Sequence, residues 1–294
     1  MNLIDSFMYF DEDLILDIRL NTLNKYVKKF IICEAKFNHK GLVKNLNFDI
    51  KKFKKFENKI EYIVLENQPQ NLKIIDENEE KEIKNSKILD NSLIRENYQR
   101  NFCQKKIKDF SGNDLVLIND LDEIPNLENF RYENKITIFK QKMFYYKLNL
   151  LYPNYNWMGS KICKIKHLKE PQFLRNIKPK KYPLWRFDIF FSKKKFNNIN
   201  FIDNGGWHFT NVKSPEKIDY KMKNFLHHLE YEQSGLNAKK LEELIKNRKI
   251  MYNHNADKKD VTKWSSQANL EKVELGSLPN YIKENETKFS EWID

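Results

Sequence analysis

Long apolar runs and cysteines are scarce in this chain of 294 residues. No stretch approaches the roughly 20 consecutive apolar residues that a membrane-spanning helix needs, so we expect no such helix. The three cysteines are odd in number and widely spaced, which argues against a disulfide framework or a zinc site and favours a reducing compartment. The N-terminus has no basic segment and meets a run of acids ending at Asp13, unlike a signal peptide. We therefore expect a cytoplasmic protein that is at most peripheral to a membrane.

Acidic residues are outnumbered by basic ones, and the formal net charge is +12 at pH 7. This charge suits an anionic partner such as nucleic acid, a membrane surface or a phosphorylated small molecule. The lysines are spread over nearly the whole chain, however, and clusters such as 51–55 and 192–195 are typical of solvated surfaces. We therefore expect no nucleic-acid partner, whereas contact with an anionic membrane fits the charge.

Short apolar runs alternate with helical patterns in the first part of the chain. Apolar runs at 3–10, 30–33 and 62–65 predict strands, and the apolar spacing within 11–24 predicts a helix. This alternation indicates an α/β fold with a mostly parallel central sheet flanked by helices. Further strands are expected over 135–151 and 180–192, and further helices over 92–110 with Ser92 as the cap, 214–234 and 237–249.

Three carboxylates within four residues follow the apolar run 115–118. The run is typical of a strand buried on both faces, and ligands of parallel sheets bind beyond the carboxyl ends of the strands. Because alternate residues of an extended segment point the same way, Asp120 and Asp122 can face one divalent cation, which would relieve their repulsion. A polar loop that closes a buried strand is the alternative, and the local pattern does not decide between the two.

The helix predicted before this strand carries Arg95 and Arg100. Guanidinium groups next to carboxylates make sense in a site that holds both a metal and phosphates. The alternative is ordinary surface pairing of Glu96 with Arg100, four residues apart on the helix. Farther along the chain, two adjacent glycines precede Trp207 and His208, and such a pair lets the backbone approach a ligand closely.

Several segments, taken together and in this order, resemble glycosyltransferase family 17. They are DSFMYF at 5–10, LDIRLN at 16–21, ICEA at 32–35, RENYQRN at 95–101, NDLDEIP at 119–125, GGWHF at 205–209 and HLEY at 228–231. The resemblance spans roughly residues 3–235. It is loose between 132 and 201, where we expect the acceptor site, and eukaryotic relatives carry an N-terminal membrane anchor that is not seen here.

The resemblance implies a GT-A-like domain over residues 1–235, with a helical C-terminal extension over 236–294 packed on it. It also implies a UDP-sugar donor (UDP-N-acetylglucosamine), a glycan or glycolipid acceptor, a divalent metal (Mn²⁺ or Mg²⁺) and inversion at the anomeric carbon. The metal candidates are Asp120, Asp122 and His208, with contact to the ribose as the alternative role of Asp120. The candidates for binding the rest of the nucleotide sugar are Glu34, Arg95, Arg100 and Asn101.

Inversion requires a general base that deprotonates the acceptor hydroxyl. The sequence does not choose among four candidates, which are Glu123, Asp188, Asp203 and Glu230. Aromatic side chains can stack on the apolar face of a sugar, although as core residues they need no such role. The candidates for stacking on a sugar are therefore Trp157, Trp185 and Trp207. His228 is a further acceptor-binding candidate, because His228 and Glu230 could cap or buttress the site from their helix.

Two other functions use the same features. A metal-dependent phosphohydrolase of nucleotide sugars needs the same carboxylates but no acceptor, and it leaves the tryptophan-rich half unexplained. A nucleic-acid-binding protein needs basic and aromatic residues interleaved on one face, together with a steep salt dependence of binding. The sequence favours the metal-dependent, inverting glycosyltransferase.

Overall fold

One mixed sheet of ten strands organises the part of the chain that the computed structural model describes, which is residues 1–183, 185–189, 191–192, 194–254, 263–264 and 268–294. The strands are β1 (Leu3–Met8), β2 (Lys29–Ala35), β3 (Ile60–Leu65), β4 (Leu115–Ile118), β5 (Glu123–Pro125), β6 (Ile136–Tyr145), β7 (Leu150–Lys164), β8 (Ile199–Ile202), β9 (Gly206–Thr210) and β10 (Glu271–Lys272). They follow the order β3-β2-β1-β4-β7-β6-β9-β5, while β8 pairs with β6 and β10 with β7.

Helices flank this sheet and are the main regular elements of the described C-terminal region. They are α1 (Asp13–Leu23), α2 (Lys81–Phe102), α3 (Gln104–Ile107), α4 (Pro171–Asn176), α5 (Pro215–Asn224), α6 (His228–Ser234), α7 (Ala238–Lys246), α8 (Asn280–Glu284) and α9 (Glu286–Phe289). None of the helices in the described residues is long and apolar enough to cross a membrane.

Parallel pairing dominates the sheet. Five of the pairings are parallel and four are antiparallel in the described residues, and the parallel ones include β3-β2, β2-β1 and β1-β4. Strand β4 is buried throughout because helices cover both faces of the sheet there. The predicted α/β class with a mostly parallel sheet is therefore confirmed. The end of β4 lies beside the end of β1, which brings the 119–123 turn to the carboxyl edge of the parallel strands.

The core lies on both faces of the sheet. Helix α1 packs on one face through residues such as Leu16, and α3 covers the other face through Ile107. Residues Leu278, Ile282 and Phe289 from the C-terminal region join the first of these clusters. The C-terminal region thus shares the core of the preceding residues, while the domain division at 235 stays a prediction.

Three predicted elements differ in the structure. Helix α2 begins at Lys81, so Ser92 lies inside it and donates a hydrogen bond to the Ile88 carbonyl instead of capping the helix. The helix that Ser214 caps ends at Asn224, and α6 starts separately at His228. Residues 205–209, expected as a ligand loop, form most of strand β9.

The strands predicted over 180–192 are wrong for the described residues of that segment. The chain instead makes a 3₁₀ turn at Phe187–Ile189, and Trp185 and Phe187 are exposed; Phe190 lies outside the described residues. Aromatic residues favour strands only where they pack on a pleated, half-buried surface. The described residues of this segment pair with no strand.

Candidate functional site

Asp120 and Asp122 lie on a tight turn between β4 and β5. Strand β4 ends at Ile118 and β5 begins at Glu123, so strand alternation does not apply to the two aspartates. The Asp120 carboxylate meets arginines, whereas the Asp122 carboxylate faces His208. The turn therefore gives its two aspartates different surroundings.

A buried arginine from α1 holds the backbone of this turn. The Arg19 Nη1 atom donates to the carbonyl of Glu123 at 2.6 Å and lies 3.2 Å from the carbonyl of Leu121. Its other two nitrogens bind both oxygens of Asp5 in β1 at 2.6 and 2.8 Å, and both side chains are fully buried. Asn119 also donates to Asp5, at 2.6 Å. The turn is thus tied to β1 and α1 by charge-assisted hydrogen bonds.

Two arginines converge on the carboxylate of Asp120. Arg100 in α2 donates to one oxygen at 2.8 Å, and Arg175 in α4 donates to the other oxygen at 2.8 Å. Burial acts to raise the pKa of Asp120, but the two guanidinium groups outweigh it and hold that pKa well below its usual range. Arg100 also binds Glu96 at 2.8 Å, so the predicted surface pair exists as part of a buried cluster.

Glu123 is fully buried, and it binds Arg175, one of the two arginines that bind Asp120. Arg175 donates to its two oxygens at 2.7 and 2.9 Å, and the indole nitrogen of Trp157 donates to it at 2.5 Å. The Asp120 amide also donates to this carboxylate, at 3.0 Å. Both oxygens of Glu123 are therefore engaged in fixing Arg175 and Trp157.

No sequence pattern points to Arg175, which lies more than 50 residues from both carboxylates that it binds. Lys161 supports the helix end that carries it, because its amine donates to the carbonyls of Arg175 and Ile177. Burial lowers the pKa of Lys161 to about 7. Asn101, a nucleotide-sugar candidate, holds the other end of the helix by accepting from the Gln172 amide at 2.8 Å.

Asp122 pairs with His208 on the neighbouring strand β9. The Nε2 atom of His208 lies 3.4 Å from a carboxylate oxygen of Asp122, and the Trp157 ring lies 5.0 Å from the imidazole. Burial acts to lower the pKa of His208, but the carboxylate of Asp122 raises it above its ordinary value. The Nδ1 atom of His208 is buried without a hydrogen-bond partner in the described structure.

A lysine outside the set of sequence-predicted site residues interacts electrostatically with Asp122. Lys221 in α5 forms an ion pair with Glu12 at 3.1 Å. Burial acts to lower its pKa, and the carboxylates of Glu12 and Asp122 together raise it. Lys213 and Lys221 in turn overcome the effect of burial on Glu12 and lower its pKa to about 2. Asp122 thus pairs with a histidine and lies within electrostatic range of a lysine.

Two other donor-binding candidates lie in different surroundings. Glu34 is fully buried, and its carboxylate accepts hydrogen bonds from Lys44, the amides of Asn47 and Phe48, and Tyr62. Arg95 donates to Gln68 at 2.6 Å and to the His39 carbonyl at 3.1 Å, away from Asp120. Both side chains order loops in this structure, and their donor-binding roles stay predictions.

The remaining base candidates are not gathered around Asp122 and His208. Asp188 pairs with Arg186 and Lys195 on the surface, and their hydrogen bonds lower its pKa to about 2. Asp203 is exposed and pairs with Lys140 at 2.7 Å. Separately, Glu230 accepts from Lys263 and Trp264.

The acceptor-binding candidates are also separated. Trp157 lies between Glu123 and His208, as described above. The Trp207 side chain packs against the main core and donates to the Ser277 carbonyl at 2.7 Å. Trp185 is 74% exposed, and buried His228 bonds to the Phe225 carbonyl through Nδ1. Of these four candidates, the structure thus brings only Trp157 to the turn at residues 119–123, which we call the aspartate turn.

The 3.4 Å separation of Asp122 and His208 is that of an ion pair, and it also lies near the spacing of two ligands of one cation. Two neighbouring ligands of a six-coordinate ion, each about 2.1 Å from it, lie about 3 Å apart. Within the described ranges no group of three or more histidine, cysteine or acidic side chains could hold a metal. A cation here would take its remaining ligands from substrate phosphates and water, which is common for Mg²⁺.

Comparison with known protein families identifies the family of this chain. The family model of glycosyltransferase family 17 matches residues 1–161. That range contains the aspartate turn, Arg19, Arg100 and Trp157, whereas Arg175 and His208 lie beyond it. Curated protein sequences gave no match.

Proposed function

Because the chain belongs to glycosyltransferase family 17 and is therefore a glycosyltransferase, we propose that it moves a sugar from a UDP-sugar to a glycan hydroxyl with the help of a divalent cation. The observation that carries the proposal is the pairing of Asp122 with His208 next to the cluster of Arg100 and Arg175. The Asp122–His208 pair suits a cation, and the two arginines suit the phosphates that accompany such a cation.

In this proposal Asp122 and His208 hold Mn²⁺ or Mg²⁺. Carboxylate oxygen suits both ions, and imidazole is accepted by manganese. The bound ion would stabilise the negative charge that develops on the β-phosphate as the nucleoside diphosphate departs. Lys221, whose charge already balances Glu12, also interacts electrostatically with Asp122 and would add positive charge to the site.

We assign diphosphate binding to Arg100 and Arg175. Each donates to one oxygen of Asp120, so this aspartate keeps the two guanidinium groups together at the carboxyl edge of the sheet. Guanidinium groups bind phosphate through paired, charge-assisted hydrogen bonds. When the donor binds, its phosphates would take over part of the pairing that Asp120 provides, and Asp120 would then be available to the ribose or the ion.

Glu123 acts as a positioning residue in this proposal, and not as the general base. Its two oxygens are engaged by Arg175, Trp157 and the Asp120 amide, and the residue is fully buried. A base must reach the acceptor hydroxyl within hydrogen-bond distance. The indole of Trp157, fixed by Glu123 and lying 5.0 Å from the His208 ring, offers the aromatic surface on which an acceptor or donor sugar can stack.

The finer features rest on the family resemblance. They are N-acetylglucosamine as the transferred sugar, inversion at the anomeric carbon, the GT-A assignment and a cytoplasmic location. The mostly parallel sheet with its acidic turn at the carboxyl edge supports the GT-A assignment.

The test compares Asp122→Asn with Asp109→Asn, which changes an exposed aspartate on the surface. Transfer from a panel of UDP-sugars is measured with Mn²⁺, and UDP binding is measured by calorimetry with and without the ion. We expect Asp122→Asn to lower kcat/KM by at least about 100-fold and to abolish the effect of Mn²⁺ on UDP binding, while Asp109→Asn changes neither. Full transfer by Asp122→Asn with the metal chelated would overturn the mechanism, and sugar-nucleotide hydrolysis without any need for an acceptor would favour a phosphohydrolase.

A further inference from the structure

Half of the formal net charge of the protein lies in one short segment. Residues 178–196 contain seven lysines and arginines and one acid, a net charge of +6 out of +12 for the whole chain. The single acid, Asp188, is paired with Arg186 and Lys195. The other positive charges of the segment therefore have no acidic neighbour within it, and four of its lysines are exposed at 178, 180, 181 and 194.

The described residues of this segment form a loop whose ends are joined, because the Lys178 amide donates to the Lys194 carbonyl at 2.8 Å. Tyr182 and Ile189 are only 9% and 7% exposed, and Lys180, Arg186 and Lys195 of the same segment lie over the Tyr182 ring. The loop thus folds over some of its own apolar residues and exposes others. We call residues 178–196 the basic loop.

The outward side of the basic loop carries large aromatic side chains. Trp185, Phe187 and Phe191 are 74%, 75% and 91% exposed. Exposed aromatic residues that cluster in this way mark an interaction surface, since single exposed apolar residues are normal but groups of them are not. Three aromatic side chains next to exposed lysines match the composition of segments that lie in the boundary between lipid headgroups and acyl chains.

We propose that the basic loop docks the protein on an anionic membrane surface. Trp185, Phe187 and Phe191 would enter the boundary between headgroups and acyl chains, and the lysines would contact the anionic headgroups. The positive charge of the basic loop favours an anionic lipid surface over an uncharged apolar partner. Contact with single-stranded nucleic acid uses similar residues, but its bases need a groove in which they stack, and these aromatic side chains stand out from the surface.

The position of the basic loop gives this docking a consequence for the reaction. The loop directly follows α4, whose Arg175 contacts Asp120 and Glu123. A membrane bound by the loop would therefore lie on the side of the protein that α4 occupies. An acceptor that is itself anchored in the membrane would then be concentrated near the aspartate turn. The docking goes beyond the proposed reaction, and its test needs no transfer activity.

The test measures binding of the full chain to vesicles of phosphatidylcholine, with and without phosphatidylglycerol, by flotation. One variant changes Trp185, Phe187 and Phe191 to Ser, and a second changes the exposed lysines at 178, 180, 181 and 194 to Gln. We expect binding only to the anionic vesicles, weakened at least about 10-fold in the aromatic variant. In the lysine variant we expect a loss of more than about 100-fold, because each lysine near an anionic surface strengthens binding roughly fivefold.

Matched controls separate the loop from overall charge and hydrophobicity. Exposed lysines at 54, 108, 239 and 283 are changed to Gln, which removes the same charge elsewhere. In a separate control, exposed Val43 and Ile74 are changed to Ser. Both controls should bind vesicles like the unchanged protein, and thermal unfolding should show that all variants fold.

The proposal is overturned if the unchanged protein does not float with anionic vesicles, or if the lysine controls weaken binding as much as the loop variants do. A further experiment measures binding of a charge-matched single-stranded oligonucleotide. If the oligonucleotide binds through the loop and displaces the vesicles at equal charge concentration, the loop is a nucleic-acid surface instead. A blue shift of fluorescence on anionic vesicles that Trp185→Phe abolishes without loss of binding would support insertion of the Trp185 side chain.

Discussion

Replacing Arg19 with methionine tests whether the aspartate turn is held by the first strand and the first helix. The substitution removes the partner of Asp5, which is fully buried and would keep an unpaired carboxylate. It also removes the donor to the Leu121 and Glu123 carbonyls. Breaking a buried ion pair from one side costs about 3–5 kcal/mol in the free energy of unfolding. For a chain of this size that corresponds to a fall in Tm of roughly 5–8 °C.

The assay is urea unfolding of a set of variants at one pH. We expect Arg19→Met and Asp5→Leu each to be strongly destabilising, because each leaves one buried partner unsatisfied. The double variant should lose much less than the sum of the two, since an apolar pair of similar volume has no charge left unpaired. Amide hydrogen exchange adds a local measurement: the Glu123 amide, which donates to the Asp120 carbonyl, should exchange faster in Arg19→Met.

Additive stability losses in the two single variants would refute a coupling between Arg19 and Asp5. If the two single losses add within about 0.5 kcal/mol in the double variant, Arg19 and Asp5 are not coupled, and the ion pair does not hold the turn. A loss below about 1 kcal/mol in Arg19→Met would refute it equally, because no buried charge would then have been left unpaired.

Three further predictions concern α4 and the strand below it. Arg175→Met should weaken UDP binding by about 10–100-fold in calorimetry, because a charge-assisted hydrogen bond contributes about 1.5–3 kcal/mol; unchanged affinity would remove Arg175 from the diphosphate site. Lys161 has its pKa lowered to about 7 by burial, so the unfolded chain binds more protons between about pH 7 and 10 and stability should rise with pH there. Lys161→Met should reduce that rise in urea unfolding at pH 7 and 9, and an identical rise would contradict the assignment. Gly159→Ala should lose about 1–3 kcal/mol of stability because the new Cβ would lie 2.7 Å from the Trp157 ring, whereas Gly276→Ala has no heavy atom within 4 Å and should lose far less.

The sequence was a good guide wherever local pattern determines structure. Short apolar runs became β1, β2, β3 and β4. The reason is clearest for β4, because a strand buried on both faces needs continuous apolar residues. The acidic turn after β4 was found at the carboxyl edge for the same reason, since a strand buried in that way must end where polar residues begin. Ser214 was recognised as a helix cap from its own side chain and the proline that follows.

What the sequence did not predict depends on contacts between distant segments. The buried residues of helix α2 are the polar Asn91, Ser92, Gln99 and Arg100, so no apolar stripe marks its buried face. The aromatic Tyr98 in the same helix is 38% exposed. Polar residues can be buried in this way only when distant groups satisfy them, and Asp120 and Gln172 do so for Arg100. No local pattern carries that information.

Asp120 and Asp122 are chemically distinct because they pair with side chains from different parts of the chain. Asp120 receives its arginines from α2 and α4, and both of its oxygens are engaged. Among the described residues Asp122 forms an ion pair only with His208, at 3.4 Å, with Lys221 as a further electrostatic neighbour, and it keeps 17% of its side chain exposed. A carboxylate that already has two guanidinium partners gains little from a cation, whereas one whose direct partner is a single imidazole can still accept one. The same Asp-x-Asp spacing thus produces an anchor for arginines at the first position and, in the mechanism that we propose, a cation ligand at the second.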